Sequence, residues 1–144
     1  MGKNILFVCI HNSARSQMAE AFLNELGHKR FAAFSAGLEP GRLNPLVVRV
    51  MQEEGIDITQ NKTKSISQFL NSPRTLDYVI TVCDEASAER CPVFPGKVKR
   101  LHWGFPDPAA FQGTEQEKLT QTRRVRDQIK LKIQEWLKSF KEAR

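Results

Sequence analysis

At 144 residues the chain has the length of one domain, 1–144, and is long enough to bury a hydrophobic core. Hydrophobic residues at 40% and charged residues at 26% exclude a disordered or fibrous polymer. With 22 Lys and Arg against 16 Asp and Glu the formal net charge is +6, which leaves anionic partners open, but no apolar run approaches the roughly 18 residues of a membrane span.

The first apolar run, Ile5 to Ile10, lacks the length and the small-residue cleavage site of a secretion signal. It reads as a strand buried on both faces. Met18, Phe22, Leu23 and Leu26 then recur at helical spacing from Ser16 to Leu26, with Gly27 as the stop. Phe31 to Ala36 is a second strand, ending at Gly37. Asn44 caps a helix that has Pro45 in its first turn and ends at Gly55. Tyr78 to Val82 and Val98 to Trp103 are further strands. Thr122 to Phe140 carries Val125, Ile129, Ile133, Trp136, Leu137 and Phe140 on one face of a helix. Strands alternating with helices predict an α/β fold: a parallel sheet covered on both faces. Ligands of such sheets bind beyond the carboxyl ends of the strands, here after Ile10, after Val82 and after Trp103.

Cys9-Ile10-His11-Asn12-Ser13-Ala14-Arg15-Ser16 occupies the first of these places, between a strand and a helix. A loop this short, ending at a helix start, turns main-chain N–H groups inward, and those donors bind a tetrahedral oxyanion. Arg15 adds a two-pronged clamp. The same positive field favours a thiolate at Cys9, where a free thiol with a pKa of about 8.5 is mostly protonated at neutral pH. Ser16 is placed to hydrogen-bond that sulfur. The alternative is a buried structural cysteine beside an exposed arginine.

Asp107, between Pro106 and Pro108, sits on a stiff turn past the last strand. It reads as a general acid or base aimed at the oxyanion, or equally as an ordinary turn aspartate. Cys83 and Cys91 are separated by seven acid-rich and small residues, a spacing that suggests an exposed loop or short helix and is too wide for a zinc knuckle. Taken alone the pair reads as two unrelated thiols, whereas a total of three admits a relay in which the middle one exchanges partners. His11, His28 and His102 show no ligand spacing, so no metal is expected. The C-terminal helix is basic but lacks aromatic interleaving, so it reads as a solvated face with no nucleic-acid role.

Together, VCIHNSARSQMAEAF, FSAG, VCDEASAERCP, HWGFPDPA and RRVRDQIKLKI resemble the thioredoxin-coupled arsenate reductases, built on the low-molecular-weight protein tyrosine phosphatase fold. The resemblance covers nearly the whole chain. It implies a central four-stranded parallel sheet between helical layers. It implies that Cys9 attacks arsenate held by the loop amides and Arg15, with Asp107 assisting proton transfer. Cys83 would then displace arsenite to form a Cys9–Cys83 disulfide, Cys91 would move the disulfide to Cys83–Cys91 on a surface segment, and thioredoxin would reduce it. Three departures stand out. His11 replaces the glycine of many relatives and would tolerate positive φ only at some strain. Seven residues rather than six separate the later cysteines. Asn12, Glu20, Ser35 and Thr63 match a potassium site seen in some members, but Ser65 stands where an aspartate is expected, so the expectation is no cofactor.

With no export signal and three cysteines, a reducing cytoplasm is expected, as is a monomer free of membrane. Two other functions remain open. A phosphatase for phosphate monoesters would use Cys9, Arg15 and Asp107 alone, although Ala109, Ala110 and Phe111 replace the tyrosines usual after that turn. A non-catalytic oxyanion or thiol-redox sensor would use the same cysteines without turnover.

Overall fold

The structure, a computed structural model, describes residues 2–27, 29–70 and 75–142; His28 lies outside the described residues. The elements in chain order are β1 (Lys3–Cys9), α1 (Arg15–Leu26), β2 (Phe31–Gly37), α2 (Pro45–Gln52), α3 (Ser67–Leu70), β3 (Tyr78–Thr81), α4 (Glu85–Glu89), β4 (Lys99–His102), a 3-10 turn (Pro108–Ala110) and α5 (Glu115–Glu142). The strands form one parallel sheet in the order β2-β1-β3-β4. This is the three-layer α/β arrangement expected from the sequence.

Alternation along β1 divides the core in two. Ile5, Phe7 and Cys9 pack with Met18, Phe22 and Leu23 of α1, Val47, Val50 and Met51 of α2, and Leu119, Val125, Ile129 and Ile133 of α5. Leu6 and Val8 face the other way and pack with Ala36, Ile66, Leu76, Val79, Cys91 and Phe94. That second face is covered by α3 and the chain from Cys91 to Val98.

Local chemistry explains the boundaries. Gly27 stops α1 with its N–H on the Leu23 carbonyl at 2.8 Å, and a β-carbon there would lie 2.6 Å from that oxygen. The Asn44 side chain accepts from the Leu46 N–H at 2.9 Å, ahead of Pro45. The last helix starts seven residues before the expected Thr122. Thr114 Oγ1 accepts from the Glu117 N–H, and Glu117 Oε1 accepts from the Thr114 N–H, each at 3.1 Å, a reciprocal cap. The basic face of α5 is also less solvated than expected. Arg123 and Arg126 both bind Glu53 at 2.8 Å, Arg126 donates to the Val50 carbonyl at 2.9 Å, and Lys130 binds Glu54 at 2.7 Å. These pairs fix α5 against the end of α2. No helix among the described residues is long and apolar enough to cross a membrane.

Candidate active site

Cys9 ends β1 and is 2% exposed. The chain from Ile10 to Ala14 curls around its sulfur, and the loop carbonyls are tied to its surroundings. The carbonyls of Cys9, Ile10, His11, Ser13 and Ala14 accept from the N–H groups of Leu38, Glu39, Gly41, Asn44 and Met18 at 2.7–3.1 Å. The Asn12 carbonyl accepts from the Gln17 side chain at 3.1 Å. The N–H groups of His11, Ser13, Ala14, Arg15 and Ser16 make no hydrogen bond among the described residues. The Asn12 N–H donates to the Cys9 sulfur at 3.2 Å. Helix α1 has no side-chain cap on Ala14 and no acidic residue in its first turn, so nothing competes with an anion for its N-terminal field.

Gly37 makes this curl possible. A β-carbon there would lie 2.8 Å from both the Asn12 nitrogen and the Ile10 oxygen. From sequence, Gly37 marks only the end of β2; its close approach to the loop becomes visible only when β1 and β2 pair in register, Cys9 beside Gly37.

The sulfur has a second neighbour. Ser16 Oγ lies 2.8 Å from Cys9 Sγ, as the sequence suggests, and Ser16 Oγ accepts from Asn12 Nδ2 at 2.8 Å, which leaves its own hydrogen free for the sulfur. The left-handed residue of the loop is Asn12, with φ 54°, and not His11. The strain expected at His11 is therefore absent. The exposed His11 ring donates from Nδ1 to the Glu39 carbonyl at 2.8 Å, because a carbonyl can only accept.

Arg15 is 6% exposed. It donates to the Phe105 carbonyl at 3.1 Å and lies 3.6 Å from Asp107 Oδ2. The loop after β4 is thereby folded over the guanidinium. Asp107 Oδ1 accepts from the Ala109 N–H at 3.0 Å and caps the 3-10 turn, so one carboxylate oxygen is fixed while the other faces Arg15. This brings Cys9 and Arg15, at the two ends of one loop, together with Asp107 from a distant segment.

Cys83 is fully buried and packs in the same cluster as Cys9. Burial pushes its thiol up to about 11, opposed by the Arg15 charge. Cys91 is 5% exposed and belongs to the other cluster; burial raises it too, opposed by Arg100. All three cysteines are free thiols. The segment between Cys83 and Cys91 holds the short helix α4, capped by Asp84 on the Ser87 N–H at 2.7 Å. Asp84, Glu85, Ala86, Glu89 and Arg90 are exposed around the short helix, as the spacing suggests, and Val93 beyond it is 82% exposed, but the two thiols at the ends of the segment are covered. Tertiary neighbours cause this, since Leu76 and Phe94 enclose a sulfur that local sequence leaves in an acidic, small-residue stretch.

The side chains at the positions of that potassium site make hydrogen bonds within the protein. Ser35 donates to Glu20 at 2.7 Å, Thr63 donates to the Gly41 carbonyl at 2.7 Å, and the Ser65 hydroxyl lies 3.0 Å from that of Ser67. The Lys64 ammonium lies 3.8 Å from Glu20 and supplies positive charge there. Position 65 contributes a hydroxyl and no carboxylate to this donor set. No cluster of three or more His, Cys, Asp or Glu among the described residues is arranged to hold a metal.

Comparison with known proteins bears on the family and the fold. An arsenate reductase of Bacillus subtilis is 45% identical over 141 residues, covering 96% of this chain and 98% of that protein. The crystal structure of an arsenate reductase from Archaeoglobus fulgidus matches with a TM-score of 0.74 at 32% identity, over 92% of this chain and 98% of the other. A thioredoxin-dependent arsenate reductase of Corynebacterium glutamicum matches with a TM-score of 0.73 at 26% identity, over 99% of this chain and 63% of that one. The family model for low molecular weight phosphotyrosine protein phosphatases matches residues 4–144. By fold, loop and match over nearly its full length, the chain belongs to the low molecular weight phosphotyrosine protein phosphatase family.

Proposed function

We propose that this protein reduces arsenate to arsenite through Cys9, Cys83 and Cys91 and is recycled by thioredoxin. The observation that carries the reading is the Cys9 sulfur, receiving the Asn12 N–H within a ring of amides otherwise without partners among the described residues, with a second buried thiol, Cys83, in the same core cluster. A phosphate ester hydrolase would need only the first of these features.

In this reading the N–H groups from His11 to Ser16 and the Arg15 guanidinium hold arsenate. The Cys9 thiolate attacks arsenic, an arsenic–oxygen bond breaks, and Asp107 gives a proton to the departing oxygen. The Cys83 thiolate then attacks the Cys9 sulfur. The sulfur–arsenic bond breaks and its electron pair stays on arsenic, which leaves as arsenite. Two thiols have become one disulfide, and As(V) has become As(III). Cys91 next attacks Cys83, Cys9 is released as a thiolate, and the disulfide moves to Cys83–Cys91. Thioredoxin exchanges its dithiol for that disulfide. No step runs through a metal. The relatives named arsenate reductases over their full length support the substrate, and the thioredoxin-dependent relative supports the reductant.

The test is mass mapping of the disulfide after one equivalent of arsenate. Wild type should carry Cys83–Cys91, Cys91→Ser should stop at Cys9–Cys83, and Cys9→Ser should show neither. A reaction that leaves all thiols reduced, or proceeds in Cys9→Ser, would remove the relay.

Hydrolysis of phosphate monoesters by Cys9, Arg15 and Asp107 is a second reading, favoured by the family match. It should survive in Cys83→Ser and Cys91→Ser, because neither thiol takes part.

A further inference from the structure

Among the described residues, every loop carbonyl from Cys9 to Ala14 but one is held by a main-chain N–H. The exception is Asn12, whose carbonyl is held by the side chain of Gln17. We infer that Gln17 is a positioning residue for the nucleophile: its carboxamide holds Asn12 in the left-handed conformation and fixes the Asn12–Ser13 peptide plane, so that the Ser13 N–H joins the ring around the Cys9 sulfur. The inference deepens the proposed function and rests on Cys9 being its nucleophile.

Gln17 is fully buried, on the face of α1 where an apolar residue would be the ordinary choice. A buried carboxamide is costly unless its polar atoms are satisfied. Here its Nε2 lies 3.1 Å from the Asn12 carbonyl, from Asn12 Oδ1 and from the Lys62 carbonyl, and its Oε1 accepts from Asn61 Nδ2 at 3.1 Å. Two N–H hydrogens are thus shared among three acceptors, two of them on the one residue with φ 54°. A residue with a β-carbon stays in that region only when its surroundings over-determine it.

The peptide plane supplies the mechanism. The Asn12 carbonyl and the Ser13 N–H belong to one rigid unit and point in opposite directions. Holding the carbonyl outward turns the Ser13 N–H toward the ring. The Asn12 side chain is anchored independently by Ser16 and by the Lys64 N–H at 2.9 Å, but those bonds do not fix that plane. The Asn12 carbonyl is therefore the place where a side-chain substitution can loosen the ring without touching Cys9, Arg15 or Ser16.

The test compares Gln17→Met, which keeps length and packing but removes both donors, with Gln17→Glu, which keeps shape but presents only acceptors. The readout is the rate of Cys9 alkylation by iodoacetamide across the neutral pH range, with the site identified by peptide mass. Each variant should slow alkylation at neutral pH by about three- to tenfold, the loss of roughly one hydrogen bond, and move the rate profile to higher pH. The same substitutions are then made in Asn12→Gly. Glycine adopts positive φ without penalty, so there the effect should shrink to less than about twofold. An unchanged profile in both variants, or an equal loss in the glycine background, would overturn the inference, since a packing role alone gives the latter. Thermal melts identify any variant that has unfolded, and the isosteric Gln17→Glu then carries the comparison. No arsenate enters this assay. A wild type that alkylates Cys9 normally but fails to reduce arsenate would defeat the proposed function and leave Gln17 standing.

Discussion

Arg90 donates to Glu39 at 2.5 Å, tying the residue before the third cysteine to the segment whose N–H groups hold the loop around Cys9. Arg90 keeps the Glu39 carboxyl below the usual carboxylate range. Cys83 and Cys91 lie in clusters on opposite faces of the sheet, so a bond between them requires the α4 segment to open, and this pair resists the opening. Both side chains are more than half exposed, so solvent screening keeps its contribution small. Arg90→Ala should raise the alkylation rate of Cys91 in the native reduced chain by about two- to fivefold, read by mass tagging. An unaltered rate would show that the segment opens without breaking the pair.

Arg15→Lys keeps the charge but loses the planar fork and the fixed bond to Phe105. For arsenate reduction, kcat/KM should fall by about a hundredfold. Steady-state assays check this, and activity within about threefold of wild type would mean that the guanidinium does not grip the substrate.

The raised thiols predict a pH effect on stability. Cys83 goes from an ordinary 9.0 to about 11, and Cys91 moves the same way. The folded chain keeps these protons where the unfolded chain releases them. Their contribution is complete below pH 9 and is lost as pH rises through about 11, amounting for Cys83 to about 2–3 kcal/mol. Under reducing conditions, urea midpoints of wild type should fall more steeply over this window than those of Cys83→Ala. Parallel slopes would show that Cys83 does not titrate there.

The reciprocal cap at the start of α5 gives a fourth test. Thr114→Ala leaves the Glu117 N–H without its acceptor and should cost about 1 kcal/mol, lowering Tm by about 3 °C in a scanning calorimeter. A variant as stable as wild type would mean that the first turns of α5 add nothing to the fold.

That cap also marks the limits of what the sequence revealed. Buried parallel strands announce themselves as continuous apolar runs, and the rule that sites gather at their carboxyl ends picked out Cys9, Arg15 and Asp107 together. The start of α5 was missed because its first turns are polar and only the Thr114–Glu117 pair signals them. The burial of Cys91 within an exposed segment was not legible because its neighbours in sequence are acidic and small, whereas it packs in a cluster with Leu76 and Phe94. Asn12 and His11 tolerate positive φ about equally; what selects Asn12 is Gln17, Lys64 and Ser16 acting from outside the turn.

The bound carbonyls around Cys9 have one more effect. With its acceptors already engaged, the cage needs little rearrangement to admit a guest, so it selects by shape and charge alone. Under the proposed function, phosphate, of the same shape, is expected to enter as readily as arsenate and to act as a competitor. In that proposed reaction the two ions differ not in entry but in their fate once joined to sulfur, where arsenic can leave carrying two electrons and phosphorus cannot.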